Sequence, residues 1–157
     1  MQVYIQSKQF EVVVSPKRFV KDKVVMGTST ITIFQAEDSK KHPRTILEDW
    51  LKEYARKVIS DRTKLIAKDH GFEYKKISIR EQSTRWGSCS SEKNLNFNWK
   101  LILAPSNILD YVIIHELSHT VEMNHSRSFW NVVQRVMPDY LQHRNWLRTN
   151  GGSLKLE

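Results

Sequence analysis

Four residues with the chemistry of a metal-assisted hydrolase fall within eleven positions: His115-Glu116-Leu117-Ser118-His119, then His125. The first five form an H-E-x-x-H motif. Six histidines and ten glutamates in 157 residues give about 0.014 chance matches to it, before any demand for helical context. That context is present, because Leu109, Val112, Ile113, Ile114, Leu117 and Val121 surround the motif at helical spacing. On a helix, residues i and i+4 share a face with Cβ atoms about 6 Å apart. Two imidazoles so placed can converge on one ion at about 2.0–2.1 Å per Zn–N bond. Two imidazoles and a carboxylate on a largely buried helix are costly unless something pairs them, which argues against two idle core histidines. Glu116 lies beside the first imidazole and too far round the helix to coordinate in the same way. It can instead take a proton from a zinc-bound water, as a general base.

A catalytic zinc site takes three protein ligands and keeps one position open. Glu122 follows His115 by seven residues, on a similar helix face. Seven residues rise about 10.5 Å along a straight helix, too far to close round one small ion. His125 suits the third place better. It follows Asn124, a plausible left-handed helix stop, so the chain can turn back beneath the site.

Further candidates lie outside this stretch. Arg85 is either a surface charge or a binder of a substrate carboxylate or phosphate. Gly87 permits a tight turn between strands. Cys89 is a small buried hydrophobe, a redox-sensitive thiol or a metal contact. Trp86 and Trp99 read as core or cleft wall. Tyr140 and His143 follow the second C-terminal helix and can approach the open metal position, there to stabilise an oxyanion.

The elements that must position these groups follow from periodicity. Residues 1–34 read as strands, with alternation at Phe10, Val12 and Val14 and again at Ile31 and Ile33, and with turns at Ser15-Pro16 and Met26-Gly27. Pro43 opens a helix with Ile46, Leu47, Trp50, Leu51, Tyr54, Val58 and Ile59 on one face; it runs to about Lys68 and stops at Gly71. Residues 72–82 contain a strand. In 94–103 Leu95, Phe97, Trp99, Leu101 and Leu103 alternate with Asn94, Asn96, Asn98 and Lys100, which predicts a strand with one apolar face. Pro105-Ser106 begins the motif helix, expected to reach about Met123. Ser126 caps a second helix that Pro138 ends, and a short third helix runs from Asp139 to about Thr149. Strands, helix, strands, helices in that order predict an α+β domain, here a single one over residues 1–157.

Composition narrows the classes. A charge of +8 allows a nucleic-acid partner, but the nine Lys or Arg and four Asp or Glu of residues 40–68 interleave as on a solvated helix face. Residues 105–125 hold no Lys or Arg, a setting that suits a cation. No apolar run approaches the roughly 20 residues of a membrane span. The one cysteine excludes an internal disulfide and fits a reducing compartment. With no leader-like N-terminus, a cytoplasmic location is expected.

Several stretches together resemble the YgjP-like metal-dependent hydrolases, zinc metallopeptidases related to the SprT-like and minigluzincin groups. They are Arg85-Trp86-Gly87-Ser88-Cys89, Asn98-Trp99-Lys100-Leu101, Ala104-Pro105, Tyr111-Val112, His115 to His119, Asn124-His125-Ser126 with Phe129-Trp130, and Pro138-Asp139-Tyr140. The resemblance covers residues 44–148. It implies a zincin-like fold, with a small twisted β-sheet, an active-site helix and a helical C-terminal part. It also implies one Zn2+ per chain, with His125 as the third ligand beside His115 and His119. Residues 1–43 form an N-terminal β-rich part that matches less clearly. Glu122 stands where the metzincin spacing has glycine, which sets the chain apart from that group.

Two functions follow. The first is a zinc metallopeptidase acting on a peptide or protein, whose extended substrate adds to the edge of the strand at 94–103. The second keeps the metal but hydrolyses a nucleoside triphosphate, with Arg80, Arg85, Lys93 and Lys100 holding phosphate. A nucleic-acid-binding module ranks third, because the intact Glu116 has no use there. Phosphate-binding enzymes often carry a Gly-rich loop, and its absence favours the peptidase.

Overall fold

The computed structural model describes residues 1–82 and 84–156. Two small sheets and four helices alternate along the chain, in the expected α+β order.

The N-terminal sheet has the order β1-β2-β4-β3, from β1 (Gln2–Ile5), β2 (Lys8–Phe19), β3 (Lys23–Met26) and β4 (Thr30–Ala36). Gln6 and Ser7 join β1 to β2 with φ of 50° and 70°, a two-residue hairpin connection without the usual Asn-Gly. Ser15-Pro16 is not a turn but lies inside β2. β1 pairs only as far as Glu11, so one edge of β2 is open beyond it, and a register shift between Val14 and Arg18 absorbs the proline. Val3, Ile5, Phe10, Ile31 and Ile33 supply the sheet's contribution to the core.

α1 (Pro43–His70) starts at Pro43, its first turn capped by the His42 ring, and ends at Gly71 with φ of 72°. Its buried stripe, Ile46, Leu47, Leu51, Ala55, Ile59, Thr63 and Ile66, packs across both sheets. Thr63 is the polar member, and its hydroxyl donates to the Ile59 carbonyl. Arg62 on α1 grips Asp110 with two bonds of 2.7 Å, fixing α1 to the helix that carries the motif.

The second sheet has the order β5-β7-β6, from β5 (Lys76–Arg80), β6 (Gly87–Cys89) and β7 (Asn94–Asn98). β7 is central, parallel to β5 and antiparallel to β6. The strand expected over 94–103 ends at Asn98, whose side chain accepts from the Lys100 amide and starts a 3₁₀ segment, Trp99–Leu103. Trp99, Leu101, Ile102 and Leu103 are all buried and Lys100 is half-buried, so the apolar odd positions there do not mark one face of a strand. A strand between two others has no free edge. A peptide therefore cannot add to β7, and β6 is the edge beside the motif helix.

α2 (Ser106–Ser118) carries the motif, followed by α3 (Arg127–Val136) and α4 (Tyr140–Asn150). α2 stops five residues short of the expected Met123. The amides of Thr120 and Val121 bond back to Leu117 and Ser118, tightening the last turn. Asn124 is not left-handed, so the reversal uses no special φ there. Among the described residues no helix is long and apolar enough to cross a membrane.

Candidate metal centre and catalytic cleft

The early end of α2 brings the three histidines together. His115 projects from the last full turn, His119 is the C-terminal cap, and the loop returns His125 to face both. His125 Nε2 lies 3.0 Å from His119 Nε2 and 3.3 Å from His115 Nε2. Tetrahedral coordination with bonds of about 2.0–2.1 Å sets ligand nitrogens about 3.3–3.4 Å apart. His125 therefore stands near that spacing from both other rings, and the three ligand atoms all lie within 4.8 Å of one another. Glu122 is not part of this cluster. Its backbone carbonyl, however, accepts from His119 Nδ1 at 3.0 Å, which leaves the Nε2 lone pair free.

His115 is oriented in the same way. Its Nδ1 lies 3.3 Å from the hydroxyl of Tyr111, one turn earlier on α2. In the sequence Tyr111 stands out only as part of the Tyr111-Val112 stretch of the family resemblance and by its place four positions before His115, on the same helix face. Phe129 and Trp130 of α3 form the remaining wall: His119 stacks on Phe129 with centroids 4.3 Å apart, and His125 on Trp130 at 6.0 Å. Ser126 caps α3 through the Phe129 amide and so sets that wall. Burial and the neighbouring imidazoles push His115 down to about 3, and burial also lowers His119. Neutral imidazole is the form that binds metals.

Glu116 is 6% exposed. Burial pushes its carboxyl up to about 8, against the opposing pull of Arg85. It lies against β6 at Gly87, which is not the turn expected from sequence. A Cβ on Gly87 would stand 2.9 Å from Glu116 Cγ, 3.2 Å from its Oε1 and 3.1 Å from the Asn96 carbonyl. Glycine is needed here so that the carboxylate can approach a strand backbone. Gly87→Ala is therefore expected to displace Glu116 and cost activity by about 10²-fold, while metal content stays near the wild-type value. Steady-state kinetics alongside metal analysis checks this; unchanged turnover would show that the contact does not position the carboxylate.

Arg85, Gly87, Ser88, Cys89 and Met123 complete a cleft of about 400 Å³ around the three histidines and Glu116. Cys89 lines it but lies outside the histidine cluster, and burial, with Glu116 nearby, pushes its thiol up to about 11. Tyr140 and His143 are not among the lining residues. Tyr140 stacks on Trp130 at 5.2 Å, and His143 is buried with Nε2 3.1 Å from Asp139. Arg80 and Lys93 are likewise absent from the lining, Lys93 being in the hairpin turn between β6 and β7.

The chain is similar to two solved metallopeptidase zymogens. It overlays Pyrococcus abyssi abylysin with a TM-score of 0.54 at 20% identity, covering 59% of this chain and 93% of that one. It overlays Methanocaldococcus jannaschii jannalysin with a TM-score of 0.52 at 22% identity, covering 59% and 95%. At such identities the likeness establishes a shared zincin-like fold. No curated protein matches the sequence. The family model described as "YgjP-like, metallopeptidase domain" matches residues 1–150, including the β-rich N-terminal part that the motifs alone did not reach. With all but its last seven residues so matched, the chain belongs to the YgjP-like metallopeptidase domain family.

Proposed function

We propose that this protein cleaves peptide bonds with one zinc ion held by His115, His119 and His125, and with Glu116 as general base. The observation that carries the reading is the convergence of three Nε2 atoms, 3.0 and 3.3 Å apart, beside a buried carboxylate. Three imidazole nitrogens turned toward one another are a donor set that fits zinc. When bound, the ion supplies a Lewis acid for the scissile carbonyl and acidifies water. Glu116 receives the proton of the attacking water and returns it to the leaving amine nitrogen. Its burial favours the protonated form and so helps it hold that proton between the two transfers. β6, an edge strand of its sheet among the described residues, offers its backbone to an extended substrate, and Arg85 meets the substrate in the cleft.

Tyr111 holds the His115 ring in this scheme, and losing such a partner typically weakens a metal site about 10–100-fold. Tyr111→Phe is expected to do so, as read by competition with a chelating dye. Unchanged affinity would remove Tyr111 from the site.

Hydrolysis of nucleoside triphosphates is the second reading. It is favoured by one observation: Arg85 and Lys100 line a common cavity beside the cleft, although Arg80 and Lys93 do not. Zinc-loaded protein assayed against a peptide library and the four nucleoside triphosphates separates the two. Peptide cleavage is expected. Triphosphate hydrolysis with every peptide left intact would overturn the peptidase assignment.

A further inference from the structure

On the other side of Arg85 from the catalytic cleft, a second cavity of about 430 Å³ opens between the loop before β6 and the C-terminal segment. Its walls carry four cations, Arg85, Lys100, Arg148 and Lys155, and among the described residues no acid lines it. Glu81 offsets part of this charge from outside the lining, its carboxylate shared by Lys100 at 3.2 Å and Lys52 at 3.7 Å. Among the described residues Arg148 bonds only the neutral amide oxygen of Asn145, at 3.2 Å. Among the described residues Glu81 is the one carboxylate paired with any of these four cations, which leaves a positive surplus in a concave wall that attracts and orients an anion.

The cavity has a fixed frame. Asn98, 2% exposed, donates through Nδ2 to the carbonyls of Gln82 and Arg85 at 2.9 and 3.3 Å. Its backbone amide donates to the Trp86 carbonyl at 2.9 Å. Trp86 closes against Gly151, where a Cβ would lie 3.0 Å from the indole. The loop that bears Arg85 is thus held by a buried side chain and a ring-on-backbone contact.

Arg85 lines both cavities, which makes the second an extension of the first. It precedes Gly87, the residue against Glu116, by two positions. At about 3.3 Å per residue, a peptide lying along β6 reaches the cationic cavity two to three residues from the bond being cut. We propose that the cavity bounded by Arg85, Lys100, Arg148 and Lys155 is a substrate subsite for a carboxylate at that distance from the scissile bond. An acidic side chain and the substrate's own C-terminus share this chemistry. The inference rests on the peptidase reading.

The test uses zinc-loaded full-length protein and fluorogenic peptides carrying Glu or its isostere Gln at each of three positions on either side of the cleaved bond, with free or amidated C-termini. At one position Glu is expected to exceed Gln by tenfold or more in kcat/KM, through KM. A gain seen only with free C-termini assigns the carboxylate to the substrate's terminus. In Arg148→Gln/Lys155→Gln the ratio falls to near one; Lys155→Gln alone, with a melting curve, covers the case of a misfolded double variant. Calorimetry with Glu116→Gln protein and the same peptide pair reads the preference as a ratio of Kd values. Equal cleavage of Glu and Gln peptides, with the C-terminus making no difference, would overturn the subsite and leave the peptidase standing. A preference that survives both variants would place it elsewhere. Cleavage and binding of no peptide would remove both.

Discussion

Glu116→Gln is expected to retain the metal and to lower kcat by about 10²- to 10⁴-fold, the usual contribution of a general base. The amide matches the carboxylate in shape but cannot take the proton. Because Glu116 is buried, its ionisation also bears on folding. In the metal-free protein its carboxyl stays protonated up to about pH 8, whereas in the unfolded chain it ionises near its ordinary 4.5. Below pH 4.5 the group is neutral in both states. As pH rises from 4.5 to 8 the unfolded state releases a proton that the native state keeps, so stability falls. Glu116→Gln removes that fall, and metal-free melting curves across this range should be flatter for the variant. A variant as active as wild type would show that another group is the base; a variant that loses its metal would recast Glu116 as a ligand or a support for one.

The second large effect is loss of a histidine. Each of His115→Ala, His119→Ala and His125→Ala is expected to reduce zinc from about one per chain to a small fraction, with activity lost in proportion. Metal analysis after gel filtration decides this. Near-full occupancy in His125→Ala would remove the loop residue from the ligand set, and retention in His115→Ala would sink the site. A ligand that binds only the native state stabilises it by mass action, by about 4.1 kcal/mol at a free concentration 1,000 times Kd. Chelation should therefore lower the Tm of wild type and leave the three variants little changed.

The site was more legible than its supports. His115 and His119 announce themselves by spacing, because the i,i+4 relation fixes their face before any fold is known. His125 depends on a chain reversal, which the sequence places after Asn124 and the structure begins after Ser118. The true stop at Ser118 has no glycine or left-handed residue to mark it. α1 was read almost to its ends, because Pro43 and Gly71 are strong local signals. The strand expected over 94–103 runs too far because Lys100, half-buried in a 3₁₀ segment whose other four residues are buried, falls where a strand's polar face would continue. The role of Gly87 was hidden for another reason: its neighbour, Glu116, is 29 positions away, and local sequence does not report such contacts. Pro16 misled because strand pairing, unknown in advance, decides whether a proline is tolerated.

The proposed chemistry is written into eleven consecutive residues, 115–125, whereas the cationic wall comes from residues 82–100 and 147–155. The two regions meet along the cleft, through Arg85, Gly87, Ser88 and Cys89. On the proposed function, substitutions at Lys100, Arg148 and Lys155, which do not line the cleft, retune which peptides are accepted without touching metal or base, while substitutions within the eleven residues have almost no such freedom. If that function holds, substrate preference can drift under selection while the reaction stays fixed.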